Sequence, residues 1–530
     1  MSVVEINDLA SVGQINDIAP YMLPPEAWTL AENIRYAKGG VEVIAGWAQV
    51  FGTPGVDPHF ALPVKTSSQT FWLYTSLTKA YVYNGSTHTD ITRSVGGDYT
   101  ANATEEWNGV VFGGIPILNN GHDVPQYWSA YLTTTHLAAL PNWPSTLRAA
   151  ILRNFGSYLI AFNITDTGTN YPHLVQWSNP AGPGTVPTSW AYGNPTTEGG
   201  RKDLPDVNSG IILEALQLQS TMFIYKERSI WKMTYIGGTF IFQFDTFLAD
   251  VGILAARCVC GDGTGARHVV VTQDDIIVHN GNTPQSILTD KQRVTLFNSI
   301  NRDAVSTCFL FLNKVKEEVW FCYPESGQLQ PTRALVWNYK KGVGAISFVN
   351  GITFRNAAVG DIEGVSGELW SDGTDTWADD TGPWSQIFRQ QVIVSSPANT
   401  KFYQLDNGTL RDGASFPVTL QREDLGIIGK KRSGEPINDF KQMKMVDAVW
   451  PKVEGVAIRV RVGFRETVKG TLTWQDYTTF NSSTDMWISA IVNESLPGCG
   501  RAVSIEFSSM TSAYWRLDGY SMNVEVLGPY

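Results

Sequence analysis

No uninterrupted apolar run in the chain is long enough to cross a bilayer as a helix, which excludes an ordinary helical membrane span and argues against membrane insertion. Cysteine is scarce. Five residues (Cys258, Cys260, Cys308, Cys322, Cys499) in 530 are an odd, sparse set that supplies no disulfide framework and fits folding in a reducing cytoplasm, with small buried thiols as the default reading. Basic charge is also short, with 39 Lys and Arg against 50 Asp and Glu, for a net charge of -11. Phosphate binding draws on clustered cations, so this balance argues against a firm grip on nucleic acid, while contact without tight binding stays open. Met1 to Asp17 has no basic region and carries Glu5, Asp8 and Asp17, so it does not read as a secretory signal. Neither a Gly-x-Ser-x-Gly elbow nor a His-Glu-x-x-His pair occurs.

What the sequence has in excess is aromatic side chains and turn formers. Eighteen Trp, 20 Tyr and 24 Phe favour strands, and 49 Gly with 26 Pro supply turns between them. Residues 1–54 read as a proline-marked lead-in, with a short helical turn possible after Pro25 and a tight turn at Gly39-Gly40. From residue 55 the pattern becomes strand, turn, strand: Phe71 to Tyr74 and Ala80 to Tyr83, then the turn pair Asn84-Gly85. Tyr158 to Phe162, Met222 to Tyr225, Val269 to Val271, Ile276 to Val278, Val319 to Tyr323 and Ala334 to Trp337 continue it. Blade-like units can be marked near 60–110, 111–147, 148–208, 209–252, 253–303 and 304–395. The expectation is an all-β fold: an irregular β-propeller of about six blades over 55–400, because a closed barrel of so many strands would enclose a wide lumen. No Trp-Asp or kelch signature repeats at a fixed period. Past residue 400 the strands alternate strictly, as in Val456 to Val462, where Val and Ile face one way and Arg459 and Arg461 the other. This reads as a second, sandwich-like β domain over 401–530.

Candidate chemistry is thin. Cys258-Val-Cys260 lacks Cys-x-x-Cys spacing and a second ligand pair, which argues against zinc. Gly261-Asp262-Gly263-Thr264-Gly265 lies between two strand-like runs rather than before a helix, so it reads as a blade-connecting turn and not a phosphate cradle. Gly426-Ile427-Ile428-Gly429-Lys430-Lys431 has the wrong spacing for a P-loop. Ser371 to Asp380 gathers Asp372, Asp375, Asp379 and Asp380 without calcium-loop register and reads as a solvated hairpin. A glycosidase carboxylate pair would require a separation that sequence cannot show. His59, His88, His122, His136, His173, His268 and His279 are scattered, with no metal-type spacing. No catalytic, cofactor-binding or metal-ligating residue is assigned, and the chain reads as a scaffold rather than an enzyme.

Three segments stand out together. The first runs from Asp17-Ile18-Ala19-Pro20 through Pro24-Pro25-Glu26-Ala27-Trp28, Asn33-Ile34-Arg35-Tyr36 and Gly39-Gly40-Val41-Glu42 to Gly46-Trp47. The second is Gln176-Trp177-Ser178-Asn179-Pro180 to Trp190, with Ser229-Ile230-Trp231 to Tyr235-Ile236-Gly237-Gly238. The third is Val462-Gly463-Phe464, Gly500-Arg501 and Trp515-Arg516-Leu517-Asp518-Gly519-Tyr520, ending in Val526-Leu527-Gly528. Together they resemble the tail nozzle proteins of short-tailed bacteriophages, also called tail tubular protein B or the packaged-DNA stabilisation hub. The resemblance implies a virion tail protein, assembled in the host cytoplasm, with six copies forming the ring through which genomic DNA leaves. It implies an adaptor ring beneath the portal as neighbour, with contacts to fibres or a needle left open, and it offers no catalytic residues. The resemblance also implies that the 401–530 domain is a platform with which the 1–54 lead-in packs, so that the lead-in and C-terminal strands would build the ring, with propellers outside it. The acidic balance suits a conduit that must not retain phosphates, and is equally the ordinary solubility charge of a large protein. Competing readings are a receptor-binding or glycan-degrading tail protein, and a cellular propeller acting as an interaction hub.

Overall fold

The computed structural model describes all residues except 1, 16–17, 38, 67–68, 103–106, 195, 206–209, 343, 363–389, 426–428, 431–435, 438–441, 468 and 529–530. Local sequence chemistry accounts for its hairpins. In the first blade, Phe60–Lys65, Thr70–Thr75, Ala80–Tyr83 and His88–Asp90 pair in order. Thr70–Thr75 is buried throughout, as a strand sandwiched between neighbouring sheets must be. The Asn84-Gly85 turn works as its chemistry requires: Asn84 Oδ1 accepts from the Ser86 and Thr87 amides at 3.1 and 2.8 Å, and Gly85 takes φ +95°.

Five more blades follow. Four are separate four-stranded sheets whose first strands are Asn108–Phe112, Leu147–Phe155, Ile212–Leu218 and Val259–Gly261, and the sixth, beginning at Phe309–Asn313, is the first four strands of a larger sheet. The all-β propeller expectation therefore holds, with six sheets built from consecutive strands. A further four-stranded sheet completes the ring, and it is assembled from both ends of the propeller sequence: Asn356–Gly360, Gln391–Ser396, Lys401–Leu405 and, from the lead-in, Trp47–Val50. The first strands of successive sheets are neighbours all the way round, and Asn356–Gly360 returns to Phe60–Lys65. Boundaries at 54/55 and 400/401 consequently cut through the closing sheet. Pairing Trp47–Val50 with Lys401–Leu405 gives the last blade its fourth, outer strand and ties the start of the propeller sequence to its end, which closes the ring.

The platform is a two-sheet sandwich. One sheet orders Ile34–Ala37, Gly40–Val43, Trp515–Gly528, Met443–Gly455 and Ile488–Ser489, with Ser2–Asn7 also paired to Trp515–Gly528. The other orders Leu30–Glu32, Val418–Leu425, Ala502–Ser509, Ile458–Arg465 and Thr473–Trp474, and it is continuous with the sixth blade through the parallel pairing of Glu32 with Phe348. Ile458–Arg465 alternates as its sequence requires: Ile458, Val460 and Val462 are buried, while Arg461 meets Glu506 at 2.6 Å on the other face. Between the sheets lie Trp28, Phe507 and Tyr520, with Phe507 and Tyr520 ring centroids 5.1 Å apart.

The lead-in thus spans both bodies, and its polar residues are fastened to each. Arg35, fully buried, pairs with Glu318 of the sixth blade and with Asp406 at 2.7 Å. Trp320 Nε1 donates to Glu318 at 3.1 Å and Asn313 Nδ2 to Asp406 at 2.6 Å, so both carboxylates have further donors. Buried charges persist only when satisfied in this way. Gly46 lets the chain pass Leu410: a Cβ there would sit 2.0 Å from the Leu410 carbonyl oxygen. A single α-helix is present among the described residues, Asp290–Ser299, where sequence reading marked none. Its signal was the Thr289-x-x-Gln292 box, in which the Thr289 amide donates to Gln292 Oε1 at 3.0 Å. The helical turn expected after Pro25 lies instead at Pro20–Met22 and is of the tighter 3₁₀ form.

Candidate functional site: the propeller channel and its inter-blade contacts

The first strands of all seven sheets line one central channel of about 840 Å³. Its walls mix apolar residues such as Ile151, Leu213 and Phe309 with Asn108, Arg148, Arg153, Glu214, Glu227, Arg257 and Asn356. Most of this polarity is spent between blades. Asn108 Nδ2 donates to the Ala150 carbonyl at 2.8 Å while its Oδ1 accepts from the Leu152 amide at 3.0 Å, clamping the second blade to the third. Arg153 reaches the fourth blade, donating to Glu214 at 2.6 Å and to the Ala215 carbonyl at 3.2 Å. Arg257 Nη1 donates to the Arg355 carbonyl at 2.9 Å, and the Arg257 carbonyl accepts from the Leu310 amide. Arg148 donates to the carbonyls of His122, Ser145 and Leu147. Glu214, the obvious acid, is occupied by Arg153 and by the Ala215 amide at 2.8 Å. The channel's ion pair and amides therefore do the mechanical work of holding a ring together.

The histidines are less scattered than their spacing suggests. His268 and His279 are direct partners across a hairpin of the fifth blade, and both bond one hydroxyl of the fourth: Tyr225 OH lies 2.7 Å from His268 Nδ1 and 2.9 Å from His279 Nε2. Phe223 and Phe247 enclose His279. Burial pushes the His268 pKa down to about 4. Burial, then His268 and Lys232, push His279 down to about 3. Neutral imidazoles can share the tyrosyl hydroxyl, one accepting its proton and the other donating an N–H. The signal was available in the register: the turn between Val269–Val271 and Ile276–Val278 places 268 opposite 279. His88 makes a similar contact in the first blade, 2.8 Å from Tyr74 OH. His136 bonds the Thr92 carbonyl, and His122 stands at the channel wall.

The five cysteines are all free. Burial raises the thiols of Cys258 and Cys322 well above their ordinary range, and that of Cys308 to about 12, so they stay protonated and inert. No group of three metal-ligating side chains occurs among the described residues. Gly261 to Gly265 forms a hairpin turn inside the fifth blade, between its first two strands rather than between blades, with Asp262 accepting from Thr264 and from Arg267 at 2.7 Å. Gly429–Lys430 is a short strand paired with Pro436–Ile437, and the rest of that glycine-lysine stretch, like the acidic run Ser371 to Asp380, lies outside the described residues.

No family model and no curated protein matches the chain. Solved structures resemble it at low identity. The WD40 domain of Toxoplasma gondii coronin is 8% identical, with 71% of this chain and 86% of that one covered and a TM-score of 0.33. PorZ of Porphyromonas gingivalis is 10% identical, with 83% and 46% covered and a TM-score of 0.35. The extracellular domain of BT4673 from B. thetaiotaomicron is 13% identical, with 54% and 39% covered and a TM-score of 0.29, so this chain spans well under half of that domain. Likeness at this level carries no ligand, partner or reaction.

Proposed function

We propose that this chain is a structural subunit of a phage tail nozzle, closing the tail of a short-tailed virion and conducting genomic DNA during ejection. The observation that carries the reading is where the nozzle-like segments fall. Trp28, Ile34 and Tyr36 of the first segment and Trp515, Leu517 and Tyr520 of the third share one core in the platform, and the second segment lies in the third and fourth blades. A lead-in and a C-terminus that build one platform, with a propeller joined to it by a continuous sheet, suit a ring subunit that must transmit load without a flexible linker. The acidic balance of -11 suits a bore that DNA passes without adhering.

The test is electron microscopy and mass measurement of the protein on virions or with an adaptor ring present, because subunit contacts alone need not offset the entropy of association. A six-fold ring that fails to retain duplex DNA at physiological salt is expected. A trimer, or tight duplex binding, overturns the proposal.

A further inference from the structure

On the third blade a second and shallower groove of about 600 Å³ runs between the start of Leu147–Phe155, the end of Tyr158–Asp166 and the loop before Gly200–Asp203. That size lies within the range of ordinary ligand pockets. Its composition differs from that of the channel. Tyr192 is 54% exposed, and the Arg201 guanidinium carbon stands 4.2 Å from its ring centroid. Arg201 in turn is held flat: Nη2 donates to Asp166 Oδ2 at 3.1 Å and to Gln176 Oε1 at 2.8 Å, and Nε donates to the same Gln176 oxygen at 3.1 Å. Gln176 is buried and donates to the Trp190 carbonyl at 2.9 Å. Thr146 donates to Asp166 Oδ1 at 3.1 Å. Trp190 is 97% buried against Trp143, and its indole N–H has no acceptor among the described residues.

The geometry points to a binding site for a neutral saccharide chain of pyranose rings. Charge decides against the other small-ligand classes. Arg201 is compensated by Asp166 within the groove, so neither an anion nor a cation meets a free counter-charge, and a wholly apolar ligand would strip water from both ions without replacing it. A pyranose chain has the complementary pattern: one ring offers an apolar C–H face to the side of Tyr192 that Arg201 does not cover, and a neighbouring ring offers edge hydroxyls that donate to a carboxylate and accept from a guanidinium. Arg201 has five N–H donors, more than its Asp166 and Gln176 bonds consume, and the Asp166 carboxylate has lone pairs beyond those facing Arg201, Thr146 and Thr167. Arg201 holds the Asp166 carboxyl below its ordinary pKa, which keeps it an acceptor at neutral pH. Planar groups fixed by one another lose little side-chain entropy when they bind, which is what a weak, hydroxyl-rich ligand requires.

This inference does not depend on the ring assembly and is tested separately from it. The full chain is titrated with maltohexaose, cellohexaose and chitohexaose, and with hexagalacturonate as the charged comparison, by calorimetry and saturation-transfer NMR. At least one neutral hexaose is expected to bind in the millimolar range or tighter. Tyr192→Ala should weaken it about tenfold or more, while Tyr192→Phe, which keeps the ring face, stays within about threefold of wild type. Tyr192 is exposed, so unfolding transitions of both variants should coincide with wild type. Binding of none of the neutral sugars, binding of hexagalacturonate alone, or equal affinity of wild type and Tyr192→Ala overturns the assignment, as does an equal loss in both variants.

Discussion

Lowering the pH from about 7.5 to about 5 should loosen the seam between the fourth and fifth blades, and Tyr225, His268 and His279 set the amount. Both imidazoles are neutral in the folded protein, with pKa values pushed to about 4 and about 3 by burial. In the unfolded chain each returns to about 6.5. Between those values the unfolded state binds the more protons, so stability falls as the pH drops below about 6.5 and levels off only below the folded values. At pH 5 each histidine contributes a loss of about 2 kcal/mol, about 4 kcal/mol for the pair, a substantial part of an ordinary folding free energy of about 5–15 kcal/mol. Other groups titrate over the same interval, so the quantity to read is the difference from a variant in which Tyr225, His268 and His279 are all Phe; it removes the bonds among the three together, and the Gln217 carbonyl and Gly281 amide that lose an imidazole partner do not titrate, so their cost is the same at both pH values. Urea unfolding followed by tryptophan fluorescence at the two pH values measures it. Wild type should lose about 4 kcal/mol more than the triple variant. Parallel losses in both proteins would refute the reasoning.

Two further outcomes follow from buried groups elsewhere. Arg35→Met leaves the buried Glu318 and the half-buried Asp406 without their cation and should cost about 3–5 kcal/mol in chemical unfolding; Arg35→Met combined with Glu318→Gln and Asp406→Asn should recover part of that, and no recovery would place the loss in packing instead. Thiol titration of the denatured, unreduced protein should recover all five cysteines, whereas the native protein should leave Cys258, Cys308 and Cys322 unreacted on the same timescale; recovery of two or fewer on denaturation would contradict folding in a reducing compartment.

Period and turn chemistry determined much of this protein from the sequence alone. Asn84-Gly85 and Gly39-Gly40 dictate hairpins because few other residues accept those dihedrals. Val456 to Val462 fixes which face of its strand is buried, because a side-chain period of two leaves no other register for a half-buried strand. Many short strands without helical stretches between them implied an all-β fold, and their number implied a propeller rather than a closed barrel. Long-range pairing belonged to the tertiary structure. Trp47–Val50 finds Lys401–Leu405 some 350 residues away, and Glu32 pairs with Phe348 to fuse blade and platform. Neither partner is marked by local propensity, since closing a ring rewards any strand of fitting width. The same holds for the sites. His268 and His279 are legible as a pair once the hairpin register is written down, but Tyr225 joins them only because the neighbouring blade brings its hydroxyl within 3 Å. Tyr192, Arg201 and Asp166 come from three parts of one blade, and their spacing carries no motif. Their meeting is decided by the order in which strands stack, which sequence periodicity does not encode.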